Sequence, residues 1–423
     1  MRRPRLWILL ALLSLGLLLA ARPPHPAAAD NPDGLYTVRE RFGVGLVTAH
    51  PADPGFPGRL ADYAGAETLG FGWYADWSMR ANPERPAGIE YAQMLSLEPW
   101  REGQPTAAHL ATLREVADAN PGALWIVGNE PDHLGQGNCT PGEYAGIYHR
   151  AYTFLKSADP TAQVAIGGIV MPSPIRLMWL ERTLDAYRAA YGHLPGHDPM
   201  PVDVWNTHVQ LLRENWWDGE VTYTGRCCDG GAWGALAPVG LDPADPDVRA
   251  AALQLTSCDN TNGTLFAQQI RDLRQFLVDH GQGDKPLIIS EYGVLMPDVL
   301  LSGGERDVLR FMHDTFTFLL TATDPVLGYS EDGGRLVQRW LWFSLNTPLP
   351  TWVPDPVDPR KGSWEGFNGS LYDYAEPTAL TPFGELFRDY VAAASSSSVL
   401  PTPFPTLEPD RPVSLHVPMV VRR

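Results

Sequence analysis

Short apolar runs alternate along the chain with longer stretches in which apolar residues recur every three or four positions. The runs read as strands over residues 41–47, 68–74, 92–97, 124–129, 164–170, 202–208, 287–290 and 339–344. Between them Leu177, Leu180, Leu184, Tyr187 and Tyr191 keep a helical period, as do Phe266, Ile270, Leu273 and Leu277. Thr140 followed by Pro141 marks a helix start, with Thr as N-cap and Pro at the first helical position. Eight strands alternating with helices predict an α/β chain folded as a (β/α)8 TIM barrel. An open, doubly wound sheet is the competing arrangement, but no G-x-G-x-x-G follows the first strand.

Two stretches interrupt this alternation. Residues 212–262 hold Trp216, Trp217, Trp233 and three of the four cysteines; residues 347–381 are rich in Pro, Gly and aromatics. Loops that follow barrel strands lie on the catalytic face, so both are expected as long insertions roofing a site there. At the start, Arg2, Arg3 and Arg5 precede an apolar run and a small-residue site at Ala27–Ala29. This predicts a signal peptide over 1–29, a catalytic domain over 30–394 and a secreted or cell-surface protein without stable membrane insertion. An uncleaved anchor is the alternative, the run being just short of the ~20 residues that span a bilayer. Residues 395–423 read as a Ser/Pro-rich linker and a short tail.

Charge narrows the partners. The 423 residues carry a formal net charge of −17, which argues against a nucleic acid or an anionic membrane. Aromatic residues make up 10%, enough to stack on sugar rings even if many fill the core. Four cysteines in an exported chain point to disulfides: Cys258 with Cys227 or Cys228, and Cys139 tied to the same loop. Free thiols are the alternative. No His stands at ligand spacing from the cysteines, so no zinc site is expected among them.

The chemistry concentrates in two strings. WIVGNEPD places Glu130 at the end of one apolar run, and LIISEYGV places Glu291 at the end of another. A carboxylate at the end of a buried strand is costly without a partner or a task. Pro131 ends the strand and biases Glu130 toward an extended backbone. Asn129 can donate to and accept from a sugar hydroxyl. Either glutamate alone could be a cap or a salt-bridge partner. Together they match the acid and carboxylate that glycosidases set on either side of a sugar bond.

With these residues the chain resembles clan A of the retaining glycoside hydrolases, a (β/α)8 clan with Asn-Glu ending strand four and Glu ending strand seven. The GNEPD and SEYG strings look most like the group around family 128, which cleaves β-1,3-glucans; family 39 is similar too. The resemblance implies Glu130 as acid/base with a raised pKa, Glu291 as nucleophile and Asn129 at the sugar 2-hydroxyl. It implies no metal and no cofactor. The insertion at 212–262 departs from a compact family 128 enzyme and bears on the substrate.

Around this pair the expected substrate-binding residues are His208, placed to hydrogen-bond Glu291, and Tyr292, placed to hold or screen that carboxylate. Trp342 is expected as a sugar platform, with Trp340 of the same parity, and Trp73 and Trp77 as stacking or barrel-filling residues. Asp76 is a further hydroxyl ligand to consider. The function expected is cleavage of a β-linked polysaccharide or oligosaccharide by a monomer. A non-catalytic glycan-binding barrel and a transglycosylase are the alternatives. No G-x-S-x-G elbow or H-E-x-x-H helix supports a serine hydrolase or a metalloprotease.

Overall fold

The computed structural model describes residues 35–49, 53–101, 105–215, 234–354 and 362–396. Strands β1 (Phe42–Gly45), β2 (Trp73–Ala75), β3 (Glu90–Tyr91), β4 (Gln93–Leu95), β5 (Leu124–Asn129) and β6 (Gln163–Gly168) come first. They are followed by β7 (Trp205–Val209), β8 (Arg213–Asn215), β9 (Gly234–Leu236), β10 (Leu287–Tyr292) and β11 (Arg339–Trp342). Two antiparallel pairs, β12 (Thr351–Pro354) with β13 (Gly362–Glu365) and β14 (Tyr372–Asp373) with β15 (Glu376–Leu380), close the series. The main helices are α1 (Val38–Arg41), α2 (Glu98–Arg101), α3 (Ala107–Ala119), α4 (Pro141–Ala158) and α5 (Pro174–Tyr191). Then come α6 (Pro246–Ala250), α7 (Gly263–Asp279), α8 (Glu305–Thr321) and α9 (Pro382–Ser396).

The chain is mixed α/β with parallel strands. One parallel sheet runs β3-β2-β1-β11-β10-β7 and a second runs β4-β5-β6. Only Ala92 separates β3 from β4, and parallel bridges Ala165–Val204 and Ile169–Thr207 join the β6 side to the β7 side. Alternation along the strands makes two cores. An inner cluster of Trp73, Met94, Ile126, Ile288 and Leu341, among others, lies apart from the larger core shared with the helices. In that larger core Phe42 packs edge-on against Phe316, Trp340 and Phe387, joining β1, α8, β11 and α9.

All eight strand expectations find a strand, 124–129 with the ends expected and the others with shifted ends. The largest shift is at 68–74: residues Ala66–Leu69 form a 3₁₀ turn closed by Gly70 at φ +84°, and extended backbone begins only at Trp73. The Thr140 cap forms as expected. Its hydroxyl accepts from the Glu143 amide while Glu143 reaches back to Thr140, a complete capping box ahead of Pro141. Both interruptions carry their own small elements, β8, β9 and α6 in one and the two antiparallel pairs in the other. No helix among the described residues is long and apolar enough to cross a membrane.

Cys139 is a buried, free thiol, so a bridge through it is corrected. Its neighbours hold it in the rim turn after β5, where its amide donates to Pro131 O. The other expected bridge falls on Cys227 or Cys228, which lie outside the described residues. So do Trp216, Trp217, Trp233, the predicted signal peptide and the tail from residue 397. Ser395 and Ser396 belong to the end of α9 rather than to a linker.

Candidate active site

Apolar residues Leu124–Val127 bury β5, and the strand ends at Asn129. The extended backbone expected for Glu130 is corrected: its φ is +38°. Its carbonyl closes a turn by accepting from the amides of His133, at 3.0 Å, and Gly137, at 2.9 Å. These bonds outweigh the local bias that Pro131 imposes. Gly137 is required in that turn, because a Cβ there would stand 2.3 Å from Pro131 Cα. A non-glycine residue in the left-handed region costs of order 1–3 kcal/mol and persists where its surroundings over-determine it. The turn delivers the side chain of Glu130, a residue 8% exposed, to a cleft that it lines.

Glu291 lies within β10, which continues past Ser290 to Tyr292. The register with β7 shifts between Ile289 and Glu291, and Glu291 comes opposite His208. Such an irregularity re-aims a side chain. Both Glu291 oxygens accept hydrogen bonds: Trp77 Nε1 donates to Oε2 and Gln210 Nε2 to Oε1, each at 3.1 Å. Trp77 has room because Gly45 lies beneath it; a Cβ there would stand 2.8 Å from Trp77 Cη2.

His208 joins the two acids. Its Nδ1 is 3.1 Å from Glu130 Oε1 and 4.0 Å from Glu291 Oε2. The hydrogen bond expected to Glu291 is therefore made to Glu130. The ring rests on Gly168, where a Cβ would meet His208 Cδ2 at 2.4 Å. An oxygen from each glutamate and a ring nitrogen all lie within 4.8 Å of one another. The protein itself gives these groups partners: His208 bonds Glu130, and Trp77 and Gln210 donate to Glu291.

The electrostatics reverse the expected order. Burial works to raise the Glu130 pKa, but the hydrogen bond and charge of His208, with His133 and Arg176, leave it below the ordinary value. Burial raises Glu291, and the Glu130 charge adds to this against the opposing pull of His208, Trp77 and Gln210. Burial would lower His208, yet the charges of Glu291 and Glu130 lift it above the ordinary imidazole value. These opposed shifts favour the proton on His208 over Glu130, the reverse of the raised Glu130 pKa expected from the sequence. The cause is the 3.1 Å contact itself, in which each group stabilises the charged form of the other.

The cleft measures about 700 Å³. Three aromatic rings form one wall: Trp77 meets Phe343 at 5.6 Å and Phe343 meets Phe367 at 5.5 Å, centroid to centroid. Asn129, with Oδ1 buried and unpartnered, faces the same space. Leu212, Gly234 and Ala235 from the first insertion and Phe367 from the second line it too, so both insertions reach the cleft.

Other expected residues lie elsewhere. Trp342 is fully buried on the helix side, donates to Gly369 O at 2.7 Å and packs edge-on with Tyr292 and Phe316. Trp340 shares that core, and Leu341 between them faces the inner cluster. Tyr292 packs on Phe266, also away from the cleft. Trp73 fills the inner cluster beneath Arg339 and donates to Arg41 O. The alternation of β10 and β11 turns Tyr292, Trp340 and Trp342 toward the helices, whereas Trp73 faces inward but does not line the cleft. Asp76 is occupied by Arg80, Tyr91 and Ser78. The residues that sequence reasoning missed are Gln210, Phe343 and Phe367. Gln210 had a signal, since it shares the parity of His208.

No family model matches the chain, and no curated protein matches it. Among solved structures it is similar to a GH128 subgroup I endo-β-1,3-glucanase from Amycolatopsis mediterranei. Identity is 16%, with 82% of this chain and 99% of that one covered and a TM-score of 0.45. It is also similar to a family 39 glycoside hydrolase from Bacteroides cellulosilyticus, at 12% identity, 85% and 64% coverage and a TM-score of 0.43. A third is a GH128 subgroup VII oligosaccharide-binding protein from Trichoderma gamsii, at 11% identity, 86% and 98% coverage and a TM-score of 0.42. The two families that the strand-end strings resemble are both represented.

Proposed function

We propose that the chain is a retaining glycoside hydrolase that cleaves a β-linked polysaccharide by double displacement on a (β/α)8 barrel. One observation carries this reading: carboxylate oxygens of Glu130 and Glu291 lie within 4.8 Å of each other at the cleft. Retaining enzymes need carboxyl groups about 5–5.5 Å apart, whereas inverting ones leave about 6.5–9.5 Å for a water. The Ala92 junction and the two bridges between β6 and β7 support closure of the strands into a barrel. The choice of β-1,3-glucan rests on the GNEPD and SEYG resemblance. Export rests on the Arg-rich start and the apolar run that follows it.

The contacts divide the roles. Glu291 accepts from two N–H donors, an environment that orients a carboxylate for attack on the anomeric carbon. Glu130 gives Oε1 to His208, which leaves Oε2 to reach the glycosidic oxygen. The Glu130–His208 pair shares one proton, and with that proton on Oε2 of Glu130 and His208 neutral, Glu130 stands as an acid beside ionised Glu291. Glu130 then protonates the leaving oxygen as Glu291 forms the glycosyl ester. Loss of the Glu291 charge lets Glu130 act next as base on water. Trp77, Phe343 and Phe367 offer apolar faces to the sugar rings.

Sugar release from β-1,3-glucan, mixed-linkage glucan, xylan, mannan and galactan, with wild type beside Glu291→Ala, tests the reading. One polymer should be cleaved, with activity lost in the variant by several orders of magnitude. Glycan binding without cleavage of any polymer would replace this reading with that of a binding protein.

A further inference from the structure

Arg176, in the first turn of α5, is a fully buried guanidinium shared between two buried carboxylates. Its Nη1 pairs with Asp132, two residues beyond Glu130. Its Nε and Nη2 hold Glu214 on β8 at 3.0 and 2.8 Å, and Nη2 also donates to Leu236 O on β9 at 2.8 Å. The backbone repeats the link, since the Val239 amide donates to Asp132 O at 3.0 Å. The second oxygen of Asp132 is buried without a hydrogen-bond partner, so Arg176 supplies the bond that fixes this carboxylate.

Burying three ionised groups gains little stability over an apolar replacement, and such sets are kept in some proteins because they fix one arrangement. Here the arrangement has two working parts. Asp132 belongs to the turn that presents Glu130, and the β8–β9 ribbon, through Gly234 and Ala235, forms part of the cleft wall. We infer that Arg176 is a positioning residue that locks the cleft wall to the turn carrying Glu130, so that both are placed as one unit. The inference rests on the reading of Glu130 as acid/base.

Arg176→Met in the full chain tests it. The kcat/KM is measured on the glycan, whose poor leaving group needs an acid, and on a 2,4-dinitrophenyl β-glycoside, whose leaving group needs none. Misplacing Glu130 should cost about a hundredfold on the glycan, the order expected of a 1 Å shift, and little on the aryl glycoside. Equal losses on both by a folded variant would overturn the inference, since a general structural defect spares neither. Amide hydrogen exchange is read in parallel at residues 131–139 and 234–239. Both segments should loosen together; loosening of one alone would also overturn the lock. If wild type cleaves neither substrate, the functional reading fails, and joint exchange still decides whether Arg176 couples wall to turn. If Arg176→Met does not fold, Glu214→Gln keeps the Asp132 pair and should show the same asymmetry in smaller measure; no asymmetry there would overturn the inference.

Discussion

His208 is the residue on which the protonation of the site turns. Glu130 as carboxylate beside charged His208 holds the same number of protons as neutral Glu130 beside neutral His208. The alkaline limb of kcat/KM therefore belongs to the shared proton. His208 is held above its ordinary value, so wild-type kcat/KM should begin to fall only above about pH 6.5. His208→Gln leaves Glu130 to hold the proton alone and should move that limb toward acid. A pH profile of the two proteins checks this; an unmoved limb would remove His208 from the proton's path. Both glutamates were legible because each ends an apolar run, and His208 because it ends another. Their reversed electrostatics were not, since the 3.1 Å contact joins residues 78 apart in sequence.

At the scale of elements, strand parity decides which aromatics meet the cleft. Trp342 reads as a platform from its place at the end of a strand, yet its neighbour Phe343 lines the cleft and Trp342 braces Gly369 from behind. One residue of register exchanges the faces of a strand, and the sequence of β11 places apolar residues on both. Helix starts are easier to read, because a cap is a local contract among four residues. Thr140, Pro141 and Glu143 stand within such a window and form as expected. Thr140→Ala should lower stability by about 1 kcal/mol, measured by urea unfolding, with kcat of the folded protein little changed. No loss of stability would mean that α4 is held by its packing on α5 alone.

For the whole molecule, the alternation of strands and helices was visible along the chain because buried strands and amphipathic helices have different periods. The insertions were visible only as breaks in that alternation. What they do depends on long-range ties such as the Arg176 set, which joins positions 132, 176 and 214. Another such tie, Arg41 with Asp332 at 2.7 Å, fastens the start of β1 to the loop before β11 across 291 positions. No local pattern marks either partner. Two glutamates from distant strands meet at one cleft, and the chemistry proposed depends on the distance between them.

That distance has a stereochemical consequence, and proton NMR of the first products released from the cleaved glycan reads it most directly. The anomeric proton of the new reducing end should appear in the β configuration before mutarotation, as two inversions at the anomeric carbon, first by Glu291 and then by water, require. An initial α product would show a single displacement by water and contradict the assignment of Glu291 as nucleophile.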